Sequence, residues 1–424
     1  MLDRHHKDGA SCEMSPGMMP LDRAVALACE TVRPIQDAEP VPLAEAIDRT
    51  AAVAVVASAA MPFFDNSAMD GFALRLADLA GTDTLPVAGT ISAGAAPATL
   101  PQGQAMQIFT GAPLPKGADA VAMSENCTEI GSEKEVAVHF NHLPKPGANI
   151  RRAGSDQSKG ATLVKIGQRL GARHVGLLAA NGITSVAVTR RPRVGVFSTG
   201  DELAEGERAP GAIHDANRPM LLALCRAAGA EATDLGILPD DFAATTRAFA
   251  DLGDRFDLVL TSGAVSVGGR DHVRDALIAA GGQLDGWRVA IKPGKPVAFG
   301  RLGRTAITGL PGNPFAAFVG FHLFVWPQLA RLAGSTAPAF ATTPARAGFH
   351  WSRKPGRAEV FPVRLVSYDE AGVPVIDRLG NSVSATLFPL AGADGLAIVP
   401  RETAEMNPGD GLSWHPFCAR GDLA

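Results

Sequence analysis

Apolar and polar positions follow three different patterns along the chain. Residues 21–32 carry apolar side chains at helical spacing, and three valines within residues 48–59 predict a strand. Residues 62–160 contain short Val- and Ile-rich segments separated by Gly and Pro, which is typical of an all-β region with frequent turns. Residues 169–188 predict a helix followed by a strand.

Strands and helices alternate in the next 140 residues or so. The predicted strands are 194–198, 232–238, 257–262, 287–291, 296–299 and 305–308, and the predicted helices are 217–228, 242–252, 272–280 and 315–332. This alternation predicts an α/β domain with a mostly parallel sheet. From Phe349 onward the pattern returns to short strands, which indicates a small β module.

Composition narrows the class of protein. A chain of 424 residues predicts about three domains at roughly 150 residues each. The net charge is -4, from 39 Lys and Arg against 43 Asp and Glu, which excludes general binding to nucleic acid or to a membrane surface. Five cysteines without a C-x-x-C pair favour a reducing cytoplasm over a disulfide framework.

The N-terminal residues 1–20 are predicted to be a flexible leader, because charged and His residues stand where a signal peptide needs an apolar segment. The longest apolar runs are shorter than the roughly 20 residues that a bilayer requires, so a soluble protein is expected.

Two candidate loops lie in the β-rich region. The segment PFFDNSAMDGFA, residues 62–73, holds Asp65 and Asp70 beside an amide, a hydroxyl and a glycine. It is either an Asx turn between strands or part of a polar site. The segment FTGAPLPKGADAVAMSE, residues 109–125, places Thr110 at the end of a strand and is a weak signal alone.

Two further loops follow strands of the α/β region. The segments STGDE (198–202) and SGAVSVGGRD (262–271) are glycine-containing loops that lead from a strand end toward a helix and present backbone N–H groups to an anion. Neither matches the P-loop or the dinucleotide-binding pattern. Their acids, together with Asp240 and Asp241, suggest Mg²⁺ between carboxylates and phosphate oxygens. For any single acid, a solvated helix N-cap remains the alternative.

The last pair of loops is IKPGKP (291–296) and GLPGNP (309–314). Lys292 and Lys295 are held between prolines, so they are pre-ordered cations suited to a small oxyanion or a phosphate. An ordinary pair of Pro-Gly turns is the alternative. Zinc-protease, nucleophile-elbow and kinase motifs do not occur in the sequence.

In this order the loops resemble the molybdopterin molybdenumtransferases, the MoeA-type enzymes related to the E domain of gephyrin. Seven segments carry the resemblance, which runs from about Leu21 to the C-terminus: PFFDNSAMDGFA, FTGAPLPKGADAVAMSE, RRAGSDQSKG, FSTGDEL, TSGAVSVGGRD, IKPGKPVAFG and GLPGNPFAAF.

The resemblance implies a multidomain α/β plus β fold. Its central α/β domain has a mostly parallel sheet like that of the molybdopterin adenylyltransferases, and it is accompanied by an inserted β domain, an elongated α+β segment and a C-terminal β barrel. On this basis the expected boundaries are a leader at 1–20, an elongated discontinuous domain at 21–60 and 156–190, the inserted β domain at 61–155, the α/β molybdopterin-binding domain at 191–338, and the barrel at 339–424.

The activity implied is the insertion of molybdate into adenylylated molybdopterin with release of AMP, the last step of molybdenum cofactor biosynthesis. The resemblance also implies a Mg²⁺-dependent transferase that is a cytoplasmic homodimer. The molybdopterin adenylyltransferase is an expected partner, and neither nucleic acid nor a membrane is expected.

The resemblance assigns roles residue by residue. Catalytic positions match Asp65, Thr110, Asp156, Glu202, Asp240 and Asp271, of which the last three are the implied Mg²⁺ ligands. Family positions that bind molybdate or phosphate, or that form the rigid loop beside this binding site, match Ser266, Lys292, Lys295, Pro311, Pro314 and Ser384. Asp65 and Thr110 belong to the inserted domain and are expected to act across the dimer.

The chain departs from the family pattern in three places. Ala264 replaces a glycine, Pro362 stands at the position of a commoner arginine with Arg364 displaced by two, and GNSVS (380–384) replaces a GSH motif. Two other functions remain open: a gephyrin-like scaffold without catalysis, and a pterin adenylyltransferase based on the α/β domain alone. The sequence also leaves open whether molybdate or tungstate is the anion, which acid ligates Mg²⁺, and whether this is a main enzyme or a paralogue.

Overall fold

The computed structural model describes residues 18–132, 135–252, 254–263, 272–336, 341–380 and 384–417. The chain divides into two compact units. The smaller unit comprises Ala54–Lys165 and Gly176–Ile183, and the larger unit comprises the chain up to Val53, Ile166–Val175 and the chain from Thr184 onward. Most of the predicted leader lies outside the described residues, and the five domain boundaries remain a prediction.

The smaller unit is built on a six-stranded sheet. The strand order is Ala120–Met123, Gly71–Leu74, Ala105–Ile108, Thr84–Ile91, Glu135–Phe140 and Cys127–Ser132. Two short pairs accompany it: Asn66–Ser67 with Ile150–Arg151, and Val55–Val56 with Thr162–Val164. The core includes Phe72, Leu74 and Val138. The predicted β-rich region is therefore confirmed.

The strand predicted over residues 48–59 is wrong except at Val55–Val56. Val53 is 50% exposed and Val56 is 55% exposed, so the valines do not form the buried face that the pattern suggested. The helix and strand predicted over residues 169–188 are confirmed as Ala172–Ala180 and Ser185–Thr189, and the latter strand pairs with Ala38–Pro42.

The larger unit contains the predicted α/β sheet. Its six strands lie in the order Glu231–Leu238, Arg193–Thr199, Leu258–Ser262, Thr305–Leu310, Pro296–Leu302 and Gln283–Arg288. The first four strands are parallel and the last two are antiparallel. The described helices of this region are Asn217–Ala227, Phe242–Ala250, His272–Ala279 and Pro314–Leu332.

Successive residues of the central strands pack on opposite faces of this sheet. Leu258 and Leu260 pack in the same cluster as helices Asn217–Ala227 and Pro314–Leu332. Val259 packs with the residues of the other two helices. Because both faces are covered, the strands consist of almost continuous apolar residues, which is the pattern that predicted them.

The helix Pro314–Leu332 contains a π-helical turn at Phe321–Val325. Among the described helices it is the one that is long and apolar enough to cross a membrane by length and composition, and 72% of its apolar window is buried inside the protein. It is therefore a core helix, packed between the sheet and the N-terminal helix Leu21–Glu30.

The C-terminal part forms a closed barrel, as predicted. Its strands follow the order Ala358–Tyr368, Pro374–Arg378, Thr343–Ala347, Gly411–Pro416 and Gly395–Val399, and the last strand pairs back with the first. The core of the barrel contains Phe361, Ile376 and Trp414.

The strand predicted over residues 287–291 is divided between two sheets. Gln283–Arg288 stays in the α/β sheet, whereas Ile291–Lys292 pairs in parallel with the barrel strand at Ala358 and Glu359. The division falls at Val289, whose N–H donates to the Lys295 carbonyl at 2.8 Å and closes a tight loop. The pattern over residues 287–291 does not reveal this exchange, because it does not encode which sheet each part of the segment joins.

An ion pair stabilises the start of the α/β region. The Arg190 guanidinium donates two hydrogen bonds to the Asp257 carboxylate, at 2.7 and 2.9 Å, and the Arg193 N–H donates a third at 2.8 Å. The side chains of Arg190 and Asp257 are 20% and 18% exposed. Removing one partner leaves a poorly solvated charge.

We expect Arg190→Ala to lower the free energy of unfolding by about 2–4 kcal/mol. Urea denaturation followed by circular dichroism measures this change. Replacing the exposed Arg33 by Ala serves as the control and should change the stability by less than about 0.5 kcal/mol. Equal denaturation midpoints for the two variants would show that the ion pair contributes nothing.

Candidate functional site

The carboxyl ends of the four parallel strands meet at one edge of the α/β sheet. These strands end at Thr199, Leu238, Ser262 and Leu310. Loops that follow such strand ends form the usual ligand-binding edge of an open α/β sheet. The predicted residues Glu202, Asp240 and Pro311 lie in these loops, and Pro314 is the first residue of the helix after the last of them.

Two acid-bearing loops contact each other at this edge. The Asp201 Oδ1 atom accepts a hydrogen bond from the Asp240 N–H at 3.1 Å. The Glu202 carboxylate folds back over Gly200, where an added Cβ would lie 2.7 Å from its Oε2. Asp241 instead caps the next helix by accepting from the Ala244 N–H at 2.7 Å, so the N-cap alternative is correct for this acid.

Asn217 is a central residue of the edge that the sequence analysis missed. Its Nδ2 donates to the Ser262 Oγ and to the Gly312 carbonyl, both at 2.7 Å. It therefore ties together loops that follow two different strands. In the sequence, Asp215 just before the predicted helix could have drawn attention to this position. Its Oδ1 accepts a hydrogen bond from the Asn217 N–H at 3.1 Å.

Several polar atoms at or near this edge of the sheet are buried. In the described part of the chain, the hydroxyls of Ser198, Thr199 and Thr261 and the Asn217 Oδ1 are buried without a hydrogen-bond partner. Gly263, at φ +97°, approaches so closely that a Cβ there would lie 2.6 Å from the Thr199 carbonyl oxygen. Since buried polar atoms almost always have partners, these atoms are candidate contacts for a polar ligand or ordered water.

The lysine loop, residues 292–295, lies beside the start of helix Pro314–Leu332. An added Cβ at Gly294 would contact the Ala316 carbonyl oxygen at 3.6 Å. The Ala316 N–H donates to the Ser384 carbonyl at 3.3 Å, and the Asn313 Nδ2 donates to the Ser384 Oγ at 3.1 Å. The structure thus brings the predicted lysine loop, the 311–314 loop and Ser384 together.

The two lysines of this loop differ in their surroundings. The Lys292 Nζ lies 3.0 Å from the Glu359 Oε1, whereas Lys295 forms no ion pair within the described ranges. Lys295 is therefore the cation of this loop with no described counter-charge.

Asp65, in the smaller unit, is held as an anion. The Ala153 N–H donates to its Oδ1 at 2.8 Å and the Arg152 Nη1 donates to its Oδ2 at 2.7 Å. The Ala153 hydrogen bond, followed by the Arg152 hydrogen bond, lowers the pKa of Asp65 below its ordinary value. Asp65 is therefore suited to be a fixed negative charge, because a general base works best with a pKa near the operating pH.

Thr110 contacts the other acid of the same segment. Its N–H and its hydroxyl both donate to the Asp70 Oδ1 at 2.7 Å, and these hydrogen bonds lower the pKa of Asp70. The Leu114 N–H donates to the Asp65 carbonyl at 2.9 Å, so the 62–73 and 109–125 segments lie side by side. The segment RRAGSDQSKG, residues 151–160, contacts them through Arg152 and through the Asp156 N–H, which donates to the Met61 carbonyl at 3.0 Å.

Lowered pKa values predict an acid-sensitive loop cluster in the smaller unit. At pH values above their ordinary pKa of 3.8, the ionised Asp65 and Asp70 side chains stabilise this loop cluster. Their contribution disappears as the pH falls through their lower pKa values in the folded protein. We expect hydrogen exchange of the Thr110 and Ala153 amides, corrected for intrinsic rates, to accelerate below about pH 4. In the double variant Asp65→Asn/Asp70→Asn the rates should already be high at pH 6, and unchanged protection there would contradict the assignment.

Some predicted residues cannot be placed. Ser266, Asp271 and the departure at Ala264 lie outside the described residues, as do residues 381–383 of the GNSVS segment. The structure therefore gathers the remaining predicted residues into two groups: Asp65, Thr110 and Asp156 in the smaller unit, and Glu202, Asp240, Lys292, Lys295, Pro311, Pro314 and Ser384 in the larger unit.

The carboxylates at the sheet edge fit a hard cation that takes some of its ligands from the protein and the others from a bound substrate. Within the described ranges, no group of three His, Cys, Asp or Glu residues is placed to hold a metal ion. Mg²⁺, however, usually takes one or two carboxylates together with substrate phosphates and water. Glu202 and Asp240, on loops joined through Asp201, can supply such carboxylates.

Three family models match consecutive parts of the chain. The MoeA N-terminal region (domain I and II) matches residues 19–182, a probable molybdopterin binding domain matches 195–331, and the MoeA C-terminal region (domain IV) matches 344–417. Together they cover most of the sequence in the order that the motifs suggested.

Whole-length relatives give the same result. A molybdopterin molybdenumtransferase of Haemophilus influenzae is 37% identical over 94% of this chain and 99% of its own length. Molybdopterin molybdenumtransferase 2 of Mycobacterium tuberculosis is 36% identical over 92% and 96%. The crystal structure of a molybdopterin biosynthesis MoeA protein from Pyrococcus horikoshii OT3 aligns with a TM-score of 0.79 at 28% identity, covering 94% of this chain and 100% of that one.

Proposed function

Because the chain belongs to the MoeA family, we propose that it is a molybdopterin molybdenumtransferase, which inserts molybdate into adenylylated molybdopterin and releases AMP. This is the last step of molybdenum cofactor biosynthesis. The observation that carries the proposal is the 37% identity to a protein of that name over 99% of its length. The polar edge of the α/β sheet adds support from chemistry.

The proposed substrates set clear demands on the site. Adenylylated molybdopterin has a phosphate–phosphate bridge, and molybdate is a tetrahedral dianion. The whole protein carries a net charge of -4, so the attraction for these anions must be local. The lysine loop supplies cations, and the loops after the parallel strands supply N–H groups and hydroxyls.

The described residues of the lysine loop support a role in holding the oxyanion. Lys295 has no described counter-charge, and Ser384 lies beside the same helix start with its hydroxyl accepting from Asn313. Lys292, Lys295, Ser266 and Ser384 bind molybdate, and the 311–314 loop, with Pro311 and Pro314, keeps their surroundings rigid. Positioning of the two anions and neutralisation of their charge then supply most of the rate.

Glu202, Asp240 and Asp271 are the proposed ligands of Mg²⁺. When bound, Mg²⁺ would neutralise charge on the phosphate oxygens of the nucleotide. The contact between the Asp201 side chain and the Asp240 backbone fixes one of these loops relative to another. Asn217 does the same for Ser262 and Gly312, so the binding edge is pre-ordered by this chain's own side chains.

The smaller unit supplies Asp65, Thr110 and Asp156. Asp65 and Thr110 are each fixed by two hydrogen bonds, which suits residues that orient a substrate better than residues that transfer a proton. We place the enzyme in the cytoplasm as a homodimer, in which Asp65 and Thr110 act across the subunit boundary. A molybdopterin adenylyltransferase, which makes the adenylylated substrate, is its proposed partner.

A molybdate titration tests the proposal. Purified protein is incubated with adenylylated molybdopterin and Mg²⁺, and AMP is quantified by chromatography. AMP release that rises with molybdate and saturates is the expected result. Pterin binding without AMP release would favour the scaffold, and consumption of ATP with unadenylylated molybdopterin would favour the adenylyltransferase; either result would overturn the proposal.

A further inference from the structure

A group of charged side chains lies where the short strand Ile291–Lys292 meets the barrel. It consists of Glu359, Arg353, Arg378 and Lys292, and we refer to it as the Glu359 cluster. The Lys292 Nζ lies 3.0 Å from the Glu359 Oε1, and the Arg353 Nε lies 3.4 Å from the Oε2. The side chain of Glu359 is 3% exposed and that of Arg353 is 4% exposed, whereas that of Lys292 is 44% exposed.

Backbone pairing places Lys292 and Glu359 opposite each other. The strand Ile291–Lys292 pairs in parallel with the barrel strand, and Lys292 is in register with Glu359. The contact lies outside hydrogen-bond geometry at Oε1, so the attraction is mainly Coulombic. This pair links the lysine loop to a strand that belongs to the barrel core.

The two arginines are fixed by other parts of the barrel. The Arg353 Nη1 donates to the carbonyls of Pro400 and Thr403 at 2.8 and 3.0 Å. The Arg378 guanidinium lies 4.0 Å from the centre of the Trp351 ring and 5.0 Å from that of Phe361. Neither guanidinium can therefore follow Lys292 if the lysine moves.

Glu359 is the carboxylate that acts most strongly on Arg353. Burial lowers the pKa of Arg353 and of Arg378, and the charge of Glu359 opposes this effect at both. Glu359 therefore holds Lys292 from the buried side, and the 44% exposed Lys292 side chain remains accessible to an anion at the lysine loop.

We propose that Glu359 is a positioning residue for Lys292: the buried carboxylate fixes the ammonium at the lysine loop. This inference rests on the proposed function, because the anion in question is the oxyanion substrate. Without the carboxylate, the two fixed guanidiniums repel Lys292, and its flexible side chain turns toward solvent. The oxyanion then loses one of its two lysines.

Calorimetric binding of molybdate to the full-length protein tests this role separately from catalysis. We expect Glu359→Gln to weaken molybdate binding about tenfold, and Glu359→Asp, which keeps the charge, to weaken it less. In steady state, Glu359→Gln should raise the KM for molybdate more than it lowers kcat. A general loss of structure would not produce this split.

A double-mutant cycle isolates the path through Lys292. In the Lys292→Gln background, adding Glu359→Gln should change molybdate binding by less than about twofold, because no ammonium remains to be positioned. An equal tenfold loss in both backgrounds would overturn the inference, as would wild-type binding by a folded Glu359→Gln variant. If the wild-type protein releases AMP with molybdate but Glu359→Gln binds molybdate normally, the inference fails and the proposed function stands. If the wild-type protein binds no molybdate, both fail.

Discussion

Replacement of Lys295 by Met is expected to lower kcat/KM for molybdate-dependent AMP release by about 10²–10³-fold. Lys295 lies in the loop beside Ser384 and the start of helix Pro314–Leu332, and no described counter-charge competes for its ammonium. Removing a cation or donor that is fixed beside the charge of a reacting group typically costs this much, because no mobile group replaces it. The measurement is the initial rate of AMP release across a range of molybdate concentrations.

The matched control is Lys354→Met, which removes an exposed lysine of the barrel region and leaves the net charge of the variant the same. The control should retain nearly wild-type rates and the same thermal midpoint as Lys295→Met. If both variants lose activity equally, general electrostatic attraction and not Lys295 itself is responsible. If neither loses activity, the lysine loop is not part of the site.

The second large effect concerns the acids at the sheet edge. Glu202→Gln combined with Asp240→Asn should lower AMP release by about 10²-fold and raise the Mg²⁺ concentration for half-maximal rate at least tenfold. Both substitutions preserve side-chain size, and the contact of the Asp240 backbone with Asp201 does not involve the altered atoms. Rates are measured while Mg²⁺ is titrated at saturating molybdate.

Asp251→Asn provides the control for lost negative charge, because Asp251 is an exposed acid at the end of helix Phe242–Ala250. Its Mg²⁺ titration should superimpose on that of the wild-type protein. An unchanged Mg²⁺ titration in the double variant would remove Glu202 and Asp240 from the proposed metal site.

The sequence was most informative where structure is determined locally. Apart from the strand predicted over residues 287–291, the strands and helices of the α/β sheet were predicted within a few residues, because the central strands are apolar runs bounded by turn residues. The loops at the carboxyl edge followed from that order, and the motifs placed Glu202, Asp240 and the lysines in them. The exposed valines near Val53 show the limit, since β-branched residues alone do not make a strand.

Long-range contacts explain what the sequence did not reveal. Asn217 contacts groups 45 and 95 residues away, and Asp65 pairs with an arginine 87 residues away. The pairing of Lys292 with Glu359 requires one apolar segment to leave its sheet and join another. Such partners depend on which strands become neighbours, which no periodicity within either segment encodes.

Mass spectrometry of the pterin bound to the purified protein tests the proposed reaction most directly. The protein is loaded with adenylylated molybdopterin in the presence of Mg²⁺, and the bound species is identified before and after molybdate is added. The reaction predicts that the adenylylated pterin is replaced by a molybdenum-containing pterin, with one AMP released for each molybdenum retained. Persistence of the adenylylated pterin, or release of AMP without molybdenum on the pterin, would contradict it.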